Sequence, residues 1–179
     1  AWTWEHQALV RARVLVGCPR VATAFETIRA RVLGRERELL ALRQEVSEMR
    51  AKMRDNLGSK ETSAGRAVNA FDAGQPFDLK QDAGGIVDIE FMVQYAALAW
   101  SHDHPQLLTY TDNIRILDGL REQRLLPADD VAALQEAYKA LRSVAHRLAL
   151  QKQPGKVAGD QLVGERRTVM RIWQELGLA

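Results

Sequence analysis

The side chains best placed for chemistry lie in one short segment around a pair of glycines. A lysine and several carboxylates flank the pair, and the candidate ligand-binding residues are Lys80, Gly84, Gly85, Asp88 and Glu90. Glycine lets backbone amides approach a ligand closely, and the first turn of a helix has unpaired N–H groups that favour an anion. A lysine adds a point charge of the kind that pairs with phosphate. This segment is therefore the first candidate for binding a phosphate-bearing ligand.

The two carboxylates that follow the glycines argue against a simple metal site. Asp88 and Glu90 are two positions apart, which is about 200° around a helix, so a regular helix cannot turn both toward one ion. A structural interpretation is also open, in which Asp88 stabilises the helix N-terminus and Glu90 meets an arginine of a neighbouring helix. Lys80 would then pair with Asp78 or Asp82. Residue types alone favour this structural interpretation.

Three other polar groups are weaker candidates. The His-Asp-His segment at 102–104 has metal-ligand residue types, but no third donor lies at a defined spacing, which favours a solvated helix end. Arg142 and His146 are similar to the Arg/His pair of helical ribonucleases, but their interval is shorter than such pairs usually have. Cys18 has arginines nearby and no histidine partner, which favours an inert thiol. The chain has no P-loop, dinucleotide-binding fingerprint or nucleophile elbow.

Composition limits the class of protein. Of the 179 residues, 46% are hydrophobic and 27% charged, so the chain can bury a core and is neither fibrous nor disordered. Its longest apolar run, at 95–100, is far shorter than the roughly 20 residues of a membrane span, and residues 1–6 lack the pattern of a secretory signal. A single cysteine excludes an internal disulfide. We therefore expect a cytoplasmic protein without a membrane partner, with one domain or two at most.

The distribution of charge argues against a nucleic-acid partner. The net charge is +2, and Arg outnumbers Lys by 19 to 6. Residues 1–57 hold 11 basic and 7 acidic side chains, residues 58–104 hold 3 and 7, and residues 105–179 hold 11 and 9. A nucleic-acid-binding domain normally concentrates Lys and Arg on one face and is markedly basic. The arginines are therefore interpreted mainly as partners in ion pairs at helix surfaces.

Helical patterns fill the first 57 residues. Breaks at 17–19 and at Gly34 divide them into three helices. The second and third helices each have an apolar stripe, which we expect to be part of the core. The stripe of the second helix is Val21, Phe25, Ile28 and Val32. The stripe of the third is Leu39, Leu42, Val46, Met49, Met53 and Leu57. Residues 58–76 are rich in Gly and Ser and predict a long surface loop.

The rest of the chain predicts one short strand and four further helices. Residues 77–80 alternate apolar and charged side chains, which is typical of a strand, and the glycine pair then turns the chain into a helix. The face of that helix is Ile86, Ile89, Val93, Ala96 and Ala97. A helix capped around Asp112 follows, then a long helix from about Ala128 to Gln151, whose seam is Val131, Leu134, Tyr138, Leu141, Ala145 and Leu148. Asp160 would cap the last helix.

These patterns predict an all-α fold. We expect a bundle of about six helices with one long loop and at most one short strand near the Gly-Gly turn. The chain would be a single helical domain over 1–179, in which N-terminal helices (1–57) and a loop and linker (58–82) precede the main bundle (83–179).

Several separated motifs carry a resemblance to a known family. In chain order they are AWTWEHQALVRAR at 1–13, EMRxKMR at 48–54, FDLK at 77–80 with GGIVDIEF at 84–91, and DNxRIL at 112–117. Together they closely resemble the bifunctional glutamine synthetase adenylyltransferase/adenylyl-removing enzymes, over nearly the whole chain. GGIVDIEF is similar to the C-terminal, adenylylating half, because the other half typically has an Arg-Glu pair in place of Val87 and Asp88.

The resemblance implies a larger protein with two opposed nucleotidyltransferase units, each followed by a helical domain. The C-terminal unit transfers AMP from ATP to a tyrosine of glutamine synthetase with Mg²⁺, under the control of the PII signal protein and glutamine. ATP and Mg²⁺ are therefore the implied cofactors of the full-length enzyme, with none expected on this chain alone. Glutamine synthetase, the PII signal protein and the chain's own nucleotidyltransferase domain are the implied partners.

The catalytic signature of that family is missing from this chain. Catalysis there rests on a Gly-Ser turn followed by an Asp-x-Asp pair that holds metal against the triphosphate. Here Gly58-Ser59 leads into Lys-Glu-Thr-Ser at 60–63. We therefore expect no catalytic residue in the chain and no AMP transfer by it alone. The candidate residues around the glycine pair would support the nucleotide cleft or form the hinge to the catalytic domain.

Two functional hypotheses from different classes follow. In the first, the chain belongs to an adenylyltransferase and contributes residues around Gly84 and Gly85 to the cleft. In the second, it is a non-catalytic regulatory module whose exposed helix faces bind the PII signal protein, glutamine or glutamine synthetase. Under the first hypothesis, substitutions around the Gly-Gly turn would impair function. Under the second hypothesis, substitutions on helix surfaces such as the arginine-rich segment 29–54 would impair it.

Overall fold

The protein is almost entirely helical. The structure, a computed structural model, describes residues 2–59 and 71–179. Within these residues it has seven α-helices, one short 3-10 helix (Pro105–Leu108) and two strands. They are α1 (Thr3–Arg11), α2 (Pro19–Leu33), α3 (Leu39–Leu57), β1 (Pro76–Asp78), α4 (Ile86–Trp100), α5 (Asn113–Glu122), α6 (Ala128–Leu150), β2 (Lys156–Ala158) and α7 (Val163–Glu175). The predicted all-α class is confirmed, and β2 is an element that the sequence patterns did not predict.

The chain divides into two compact units, each assembled from two stretches of sequence. The first consists of Ala1–Val46 and Phe91–Val131, and the second of Ser47–Glu90 and Ala132–Ala179. The divisions fall inside α3, α4 and α6. Organisation as a single helical domain stays a prediction.

A buried arginine joins three elements of the first unit. The Arg29 side chain is 3% exposed. Its guanidinium donates hydrogen bonds to the carbonyl oxygens of Leu9 (3.1 Å), Val10 (2.7 Å) and Leu108 (2.8 Å). Burial lowers the pKa of Arg29, and the nearby Glu26 carboxylate opposes that shift. Since the last carbonyls of a helix have no partner within it, Arg29 of α2 satisfies the C-terminal end of α1.

The predicted core stripe of α2 is wrong in part. Val21 is 63% exposed and Ile28 is 50% exposed. The residues of α2 that are buried are Arg29 and Leu33. Periodicity identifies an apolar face, but it does not show which face the neighbouring elements cover. In α3 the middle of the stripe is buried, with Val46 fully so, while its ends are exposed.

One of the two predicted helix caps is confirmed. The Asp112 carboxylate accepts a hydrogen bond from the Arg115 amide at 3.0 Å and caps α5. The predicted cap of Asp160 on the last helix is wrong, because α7 begins at Val163 behind Leu162. Leu162 has a left-handed backbone (φ 54°) and makes no side-chain cap. The chain therefore enters α7 through a sharp backbone turn, with no capping side chain.

The second unit contains the small sheet. Strands β1 and β2 pair antiparallel, with Phe77 opposite Val157. The predicted strand at 77–80 is confirmed at its start and ends at Asp78. Arg166 of α7 is buried, donates to the Gly159 carbonyl, and lies 3.8 Å from the centre of the Phe77 ring. This arginine fixes α7 to the sheet.

The helices at the centre of the sequence agree with their predicted patterns. All five predicted face residues of α4 are buried. Helix α6 spans the predicted range to within one residue, and the first four residues of its seam are buried. No helix in the described parts of the chain combines the length and apolar composition that a bilayer span needs.

Most of the predicted surface loop at 58–76 lies outside the described residues. Where the structure does describe it, Ser59 is buried, with 4% of its surface exposed. Its backbone N–H donates to an Asp82 carboxylate oxygen at 2.8 Å. The first residues of the predicted loop are therefore bound to the turn that precedes α4, and the surface prediction is wrong at Ser59.

Candidate functional site

The segment from β1 to α4, residues 78–85, is held together by two aspartates; we call it the Gly-Gly loop. One Asp78 oxygen accepts from the amides of Lys80 and Gln81, each at 2.9 Å. Asp82 is buried, and one of its oxygens accepts from the Asp78 amide at 2.8 Å while the other binds the Ser59 amide. Both carboxylates thus accept hydrogen bonds from backbone amides of the loop, and Asp82 also accepts one from the Ser59 amide. Aspartates commonly do this in turns.

Gly84 is required by its backbone conformation and by its neighbour. Its φ of +83° is one that side chains rarely adopt, and a Cβ there would lie 2.8 Å from the Arg166 carbonyl oxygen. The Gly84 N–H donates to an Asp88 carboxylate oxygen at 2.7 Å. Gly84 therefore lets the loop lie directly against α7, and its amide is already bonded within the chain.

Gly85 is required by a close approach of backbone atoms. A Cβ at this position would lie 2.9 Å from the carbonyl oxygens of both Leu79 and Asp82. Its N–H donates to the Asp82 carbonyl at 3.0 Å. The amides of both glycines, which the sequence offered as ligand donors, are thus already bonded within the chain. The tight turn explains why both glycines are present.

Asp88 forms a buried ion pair with an arginine of α3. Arg50 Nε donates to Asp88 Oδ1 at 2.6 Å, and Arg50 Nη2 donates to the Gln81 carbonyl at 2.7 Å. The Arg50 and Asp88 side chains are 0% and 2% exposed. Burial lowers the pKa of Arg50, and the Asp88 carboxylate opposes this shift. The pair is short and shielded from water, so it ties the first turn of α4 and the Gly-Gly loop to α3.

A second arginine shares the same carboxylate. Arg54 Nη2 lies 3.6 Å from Asp88 Oδ1, and its side chain is 35% exposed. Arg50 and Arg54 are four residues apart, so they occupy one face of α3. Two guanidinium groups therefore converge on one carboxylate, and the charge of the buried Asp82 carboxylate also acts on Arg50.

Glu90 has a different environment from Asp88. The Tyr138 hydroxyl donates to Glu90 Oε1 at 3.3 Å, and Arg142 Nη1 donates to the Tyr138 oxygen at 3.2 Å. The Arg142 guanidinium also lies 5.5 Å from the centre of the Tyr138 ring. Asp88 contacts α3 and the loop, whereas Glu90 contacts a tyrosine of α6, so the two carboxylates have separate partners.

Lys80 is the exposed member of the candidate set. Its side chain lies at the surface. Within residues 2–59 and 71–179 its ammonium group forms no ion pair with Asp78 or Asp82, so the structural interpretation of Lys80 is wrong. Its amide, by contrast, belongs to the Asp78 turn. Whether the five candidate residues support a nucleotide cleft stays a prediction.

Metal-ligating residues do not cluster in the described residues. No group of three or more His, Cys, Asp or Glu side chains there is placed to hold a metal ion. His102 Nδ1 lies 3.1 Å from the Gly34 carbonyl oxygen, and His104 Nδ1 lies 3.4 Å from Gln123 Oε1. Cys18 is exposed as a free thiol. The 102–104 segment is thus a turn at the end of α4, as its residue types favoured.

Arg50 and Arg166 are the site residues that sequence reasoning missed. A signal existed for Arg50, since the EMRxKMR motif places it one helical turn from Arg54. The partner of that pair is 38 positions away, at Asp88. No local pattern distinguishes Arg166 from the other arginines of α7. Both residues act through contacts that only the folded chain creates.

Comparisons with known proteins define the family. A family model described as GlnD PII-uridylyltransferase matches residues 47–157, and one described as Glutamate-ammonia ligase adenylyltransferase matches residues 1–28. Because the first match covers more than half of the chain, the chain belongs to the family it describes. That match includes the Gly-Gly loop, Asp88, Arg50 and Arg54.

Individual relatives specify the kind of protein further. The chain is 69% identical over all 179 residues to the bifunctional glutamine synthetase adenylyltransferase/adenylyl-removing enzyme of Pseudomonas putida, and 71% identical to that of Pseudomonas syringae pv. tomato. It is 47% identical over 176 residues to the enzyme of the same name from Hahella chejuensis. These relatives confirm the resemblance carried by the motifs. The chain spans 18% of the length of each of the three.

Proposed function

We propose that this chain is the helical domain beside the nucleotidyltransferase domain of a bifunctional glutamine synthetase adenylyltransferase/adenylyl-removing enzyme, in its C-terminal, adenylylating half. The observation that carries the proposal is the 69% identity to such an enzyme over the entire chain, which accounts for 18% of that relative. In the complete protein, AMP would pass from ATP to a tyrosine of glutamine synthetase. The chain would support this transfer and contain no catalytic group of its own.

The nucleotide and its metal ion would bind outside this chain. Mg²⁺ takes oxygen ligands in octahedral geometry and commonly shares them with substrate phosphates. The described residues lack a cluster that fits such an ion. The full sequence also has no Gly-Ser turn followed by Asp-x-Asp. We therefore place ATP and Mg²⁺ on the adjoining nucleotidyltransferase domain, which would be a partner of this chain.

Within the chain, the Gly-Gly loop would form the wall that meets the nucleotide. Lys80 is the member with an exposed side chain, so it would make the direct contact with phosphate. Gly84, Gly85 and Asp88 are buried and would set the position of the loop. Glu90 would support the loop indirectly, through its hydrogen bond with Tyr138 of α6. The division of roles follows from exposure, since a buried group already bonded inside the chain does not reach a ligand.

Replacement of Lys80 in the full-length enzyme tests this role. Lys80→Ala removes an exposed side chain and keeps the backbone amide that binds Asp78, so the fold should be unchanged. We expect a loss of about tenfold in kcat/KM for ATP in AMP transfer, as for one charge-assisted phosphate contact. Lys52→Ala, also at an exposed position, is the matched control and should leave the kinetics unchanged. Equal kinetics for Lys80→Ala and the unaltered enzyme would remove Lys80 from the cleft.

A regulatory module is the second candidate. The family model that matches residues 47–157 is described as a PII-uridylyltransferase, which is an enzyme that acts on PII. This description supports the presence of a PII-binding surface on the chain. A pull-down of the 179-residue chain with PII, with and without glutamine, tests this candidate. Arg31 and Arg35 are exposed in the arginine-rich segment, whereas Arg29 and Arg50 are buried. Loss of PII capture in Arg31→Ala and Arg35→Ala would support it, and no capture of PII by the unaltered chain would exclude it.

A further inference from the structure

Exposed apolar side chains are concentrated near the start of the chain, in the first unit. Twelve large hydrophobic side chains are exposed in the described residues, and seven of them lie in the first 28 positions. These seven are Trp2, Trp4, Val14, Leu15, Val16, Val21 and Ile28. Single exposed hydrophobic residues are ordinary at a protein surface, whereas a concentration of them marks a surface that binds a partner.

Helix α2 presents much of its apolar stripe to solvent. Val21, Phe25 and Ile28 are spaced at i, i+4 and i+7, which places them on one face of the helix. Val21 and Ile28 are exposed, and Phe25 is half-buried. The buried residues of α2 are Arg29 and Leu33, so the first unit covers a different side of the helix. An amphipathic helix normally turns its apolar face toward a partner, and this stripe therefore indicates a partner outside the chain.

The segment between α1 and α2 has the same character. Val16 is 93% exposed and Leu15 is 76% exposed. Among the described residues, no backbone hydrogen bond joins positions 13–17 to another part of the chain. The backbone is extended on both sides of these positions, at Ala12 and at Cys18. Three consecutive apolar side chains at 14–16 thus have neither burial nor backbone pairing within the part of the chain that the structure describes.

The same stretch is poor in charge. Between positions 14 and 25 the sequence has one charged residue, Arg20. Charged side chains are depleted in this way at the cores of protein–protein interfaces. A nucleic acid or an anionic membrane would instead favour several basic groups. The composition therefore indicates a protein occupant.

The family matches associate this surface with the adenylyltransferase. Residues 1–28, which contain all seven exposed apolar side chains, match the model described as Glutamate-ammonia ligase adenylyltransferase. The model described as GlnD PII-uridylyltransferase matches from residue 47. The exposed apolar surface and the Gly-Gly loop therefore lie in segments that different models match, and the surface is in the adenylyltransferase segment.

A permanently attached occupant fits such a surface better than one that dissociates. Apolar surface left open to water favours aggregation, and interfaces that are always formed are the more hydrophobic ones. A domain of the same polypeptide meets its partner at high effective concentration. The chain covers 18% of its relatives, so the remaining polypeptide of those relatives is long enough to supply such a domain.

We infer that residues 14–16 and the face of α2 formed by Val21, Phe25 and Ile28 are the docking surface for the nucleotidyltransferase domain of the same polypeptide. This inference rests on the proposed function, which makes that domain the neighbour of this chain. The docking surface belongs to the first unit and the Gly-Gly loop to the second. The docking surface holds the catalytic domain through apolar contacts and takes no part in the chemistry.

Cys18 is a native reporter of this contact, because it lies between the two parts of the docking surface and is an exposed free thiol. Its reaction with a maleimide would be timed in the full-length enzyme by mass spectrometry of its peptide. Ser143→Cys, at an exposed position of α6, supplies the matched control in the same molecule. With each rate divided by its value in urea, Cys18 should react about tenfold more slowly than the control or slower still, because the docked domain shields it. Equal normalised rates at the two positions would overturn the inference.

A charge on the docking surface should remove this protection. Ile28→Glu places a good helix former at an exposed position, so the fold of the chain should be kept. In the full-length enzyme we expect Cys18 to react about tenfold faster than in the unaltered enzyme, because a carboxylate is costly in an apolar interface. Leu150→Glu, at an exposed position away from the docking surface, is the matched control and should leave the rate unchanged. An unchanged rate in Ile28→Glu would contradict the docking surface.

Photo-cross-linking identifies the occupant. Leu15 of the full-length enzyme would be replaced by a photoreactive phenylalanine analogue, and the linked peptides would be found by mass spectrometry. Links to the nucleotidyltransferase domain of the adenylylating half are expected. Links to the adenylyl-removing half or to a second copy of the enzyme would overturn the inference. Protection of Cys18 that appears only when the PII signal protein is added would overturn it as well.

AMP transfer by the same enzyme separates a failure of this inference from a failure of the proposed function. An enzyme that transfers AMP to glutamine synthetase while Cys18 reacts freely would overturn the docking surface alone. An enzyme that gives the expected cross-links and transfers no AMP would support the docking surface and argue against the proposed function alone.

Discussion

Asp88 is the residue on which the Gly-Gly loop depends most. It accepts from Arg50 at 2.6 Å and from the Gly84 amide at 2.7 Å, in surroundings closed to water. Asp88→Asn would leave the Arg50 charge buried without its counter-ion. We expect the free energy of unfolding to fall by about 3–5 kcal/mol, the usual cost of breaking a buried pair.

Urea unfolding of Asp88→Asn beside Glu136→Gln measures this effect. Glu136 forms an exposed pair with Lys139 at 2.8 Å, and both side chains are more than half exposed. Removing that pair should cost less than about 1 kcal/mol. Similar losses in the two variants would contradict a structural role for the buried pair.

Gly84 gives a second prediction at the scale of one residue. Gly84→Ala would force a side chain into a φ of +83° and against the Arg166 backbone. The free energy of unfolding should fall by about 1–3 kcal/mol. Gly164→Ala is the control, since a Cβ there meets nothing within 4 Å. Thermal unfolding should rank Gly84→Ala well below the control, and a Gly84→Ala variant as stable as Gly164→Ala would refute the close approach.

At the scale of the elements, the C-terminal end of α1 is stabilised by hydrogen bonds from Arg29 of α2. Arg29→Met would remove the donors to three carbonyl groups, of Leu9, Val10 and Leu108. The Leu9 carbonyl keeps the hydrogen bond from the Ala12 amide. The carbonyls of Val10 and Leu108 each lose the bond from Arg29 at about 1–3 kcal/mol, so a total loss of about 2 kcal/mol or more is expected. Arg31→Met, at an exposed position two residues on, should change the free energy of unfolding by less than about 0.5 kcal/mol. Amide hydrogen exchange in α1 should accelerate only in Arg29→Met, and equal exchange in both variants would argue against this contact.

The start of α3 provides a pH-dependent test. Hydrogen bonds from the amides of Ala41 and Leu40 lower the pKa of Glu38 from its ordinary value of 4.5. The Glu38 carboxylate thus caps the start of α3. Because the pKa of Glu38 is lower in the folded state, this cap stabilises α3 fully when the pH is above the pKa of unfolded Glu38. The stabilisation is lost as the pH falls through the pKa of folded Glu38. NMR titration should move the amide signals of Leu40 and Ala41 with a midpoint below 4.5. Glu38→Gln should abolish that movement, and a midpoint at or above 4.5 would refute the cap.

Helix boundaries were largely predictable because their causes are local. Gly17, Pro19 and Gly34 interrupt the first three helices, and the long run after Pro127 specifies α6. Strand β2 could not be predicted, since three residues carry no periodicity and its pairing with β1 is a contact between distant segments. The prediction that Asp160 caps α7 was also wrong. Asp160 is a good capping residue, but α7 begins only after Leu162, whose backbone is left-handed.

The pair of glycines and Asp88 marked a segment that the structure shows to be held by buried hydrogen bonds, and its role as a functional site stays a prediction. The contacts of its residues were not predictable. The amides of its glycines looked available because the sequence does not show that Asp88 accepts hydrogen bonds from both Gly84 and Arg50. Exposure decides which residue can meet a ligand, and Lys80 is the exposed residue of the Gly-Gly loop. Exposure depends on the folded chain.

At the scale of the whole molecule, the chain is interpreted as a helical companion to a catalytic domain. It matches relatives that are more than five times longer, with 69% identity to one of them. It also lacks the Asp-x-Asp pair that the resemblance implies for the catalytic domain. We infer that this chain supports AMP transfer and does not perform it alone.

Incorporation of labelled AMP into glutamine synthetase tests this inference. Glutamine synthetase would be incubated with Mg²⁺ and ATP labelled in the α-phosphate, either with the 179-residue chain or with the full-length enzyme, and AMP bound to the synthetase would be measured. We predict incorporation with the full-length enzyme and none above background with the chain alone. Labelled glutamine synthetase after incubation with the chain alone would contradict the account.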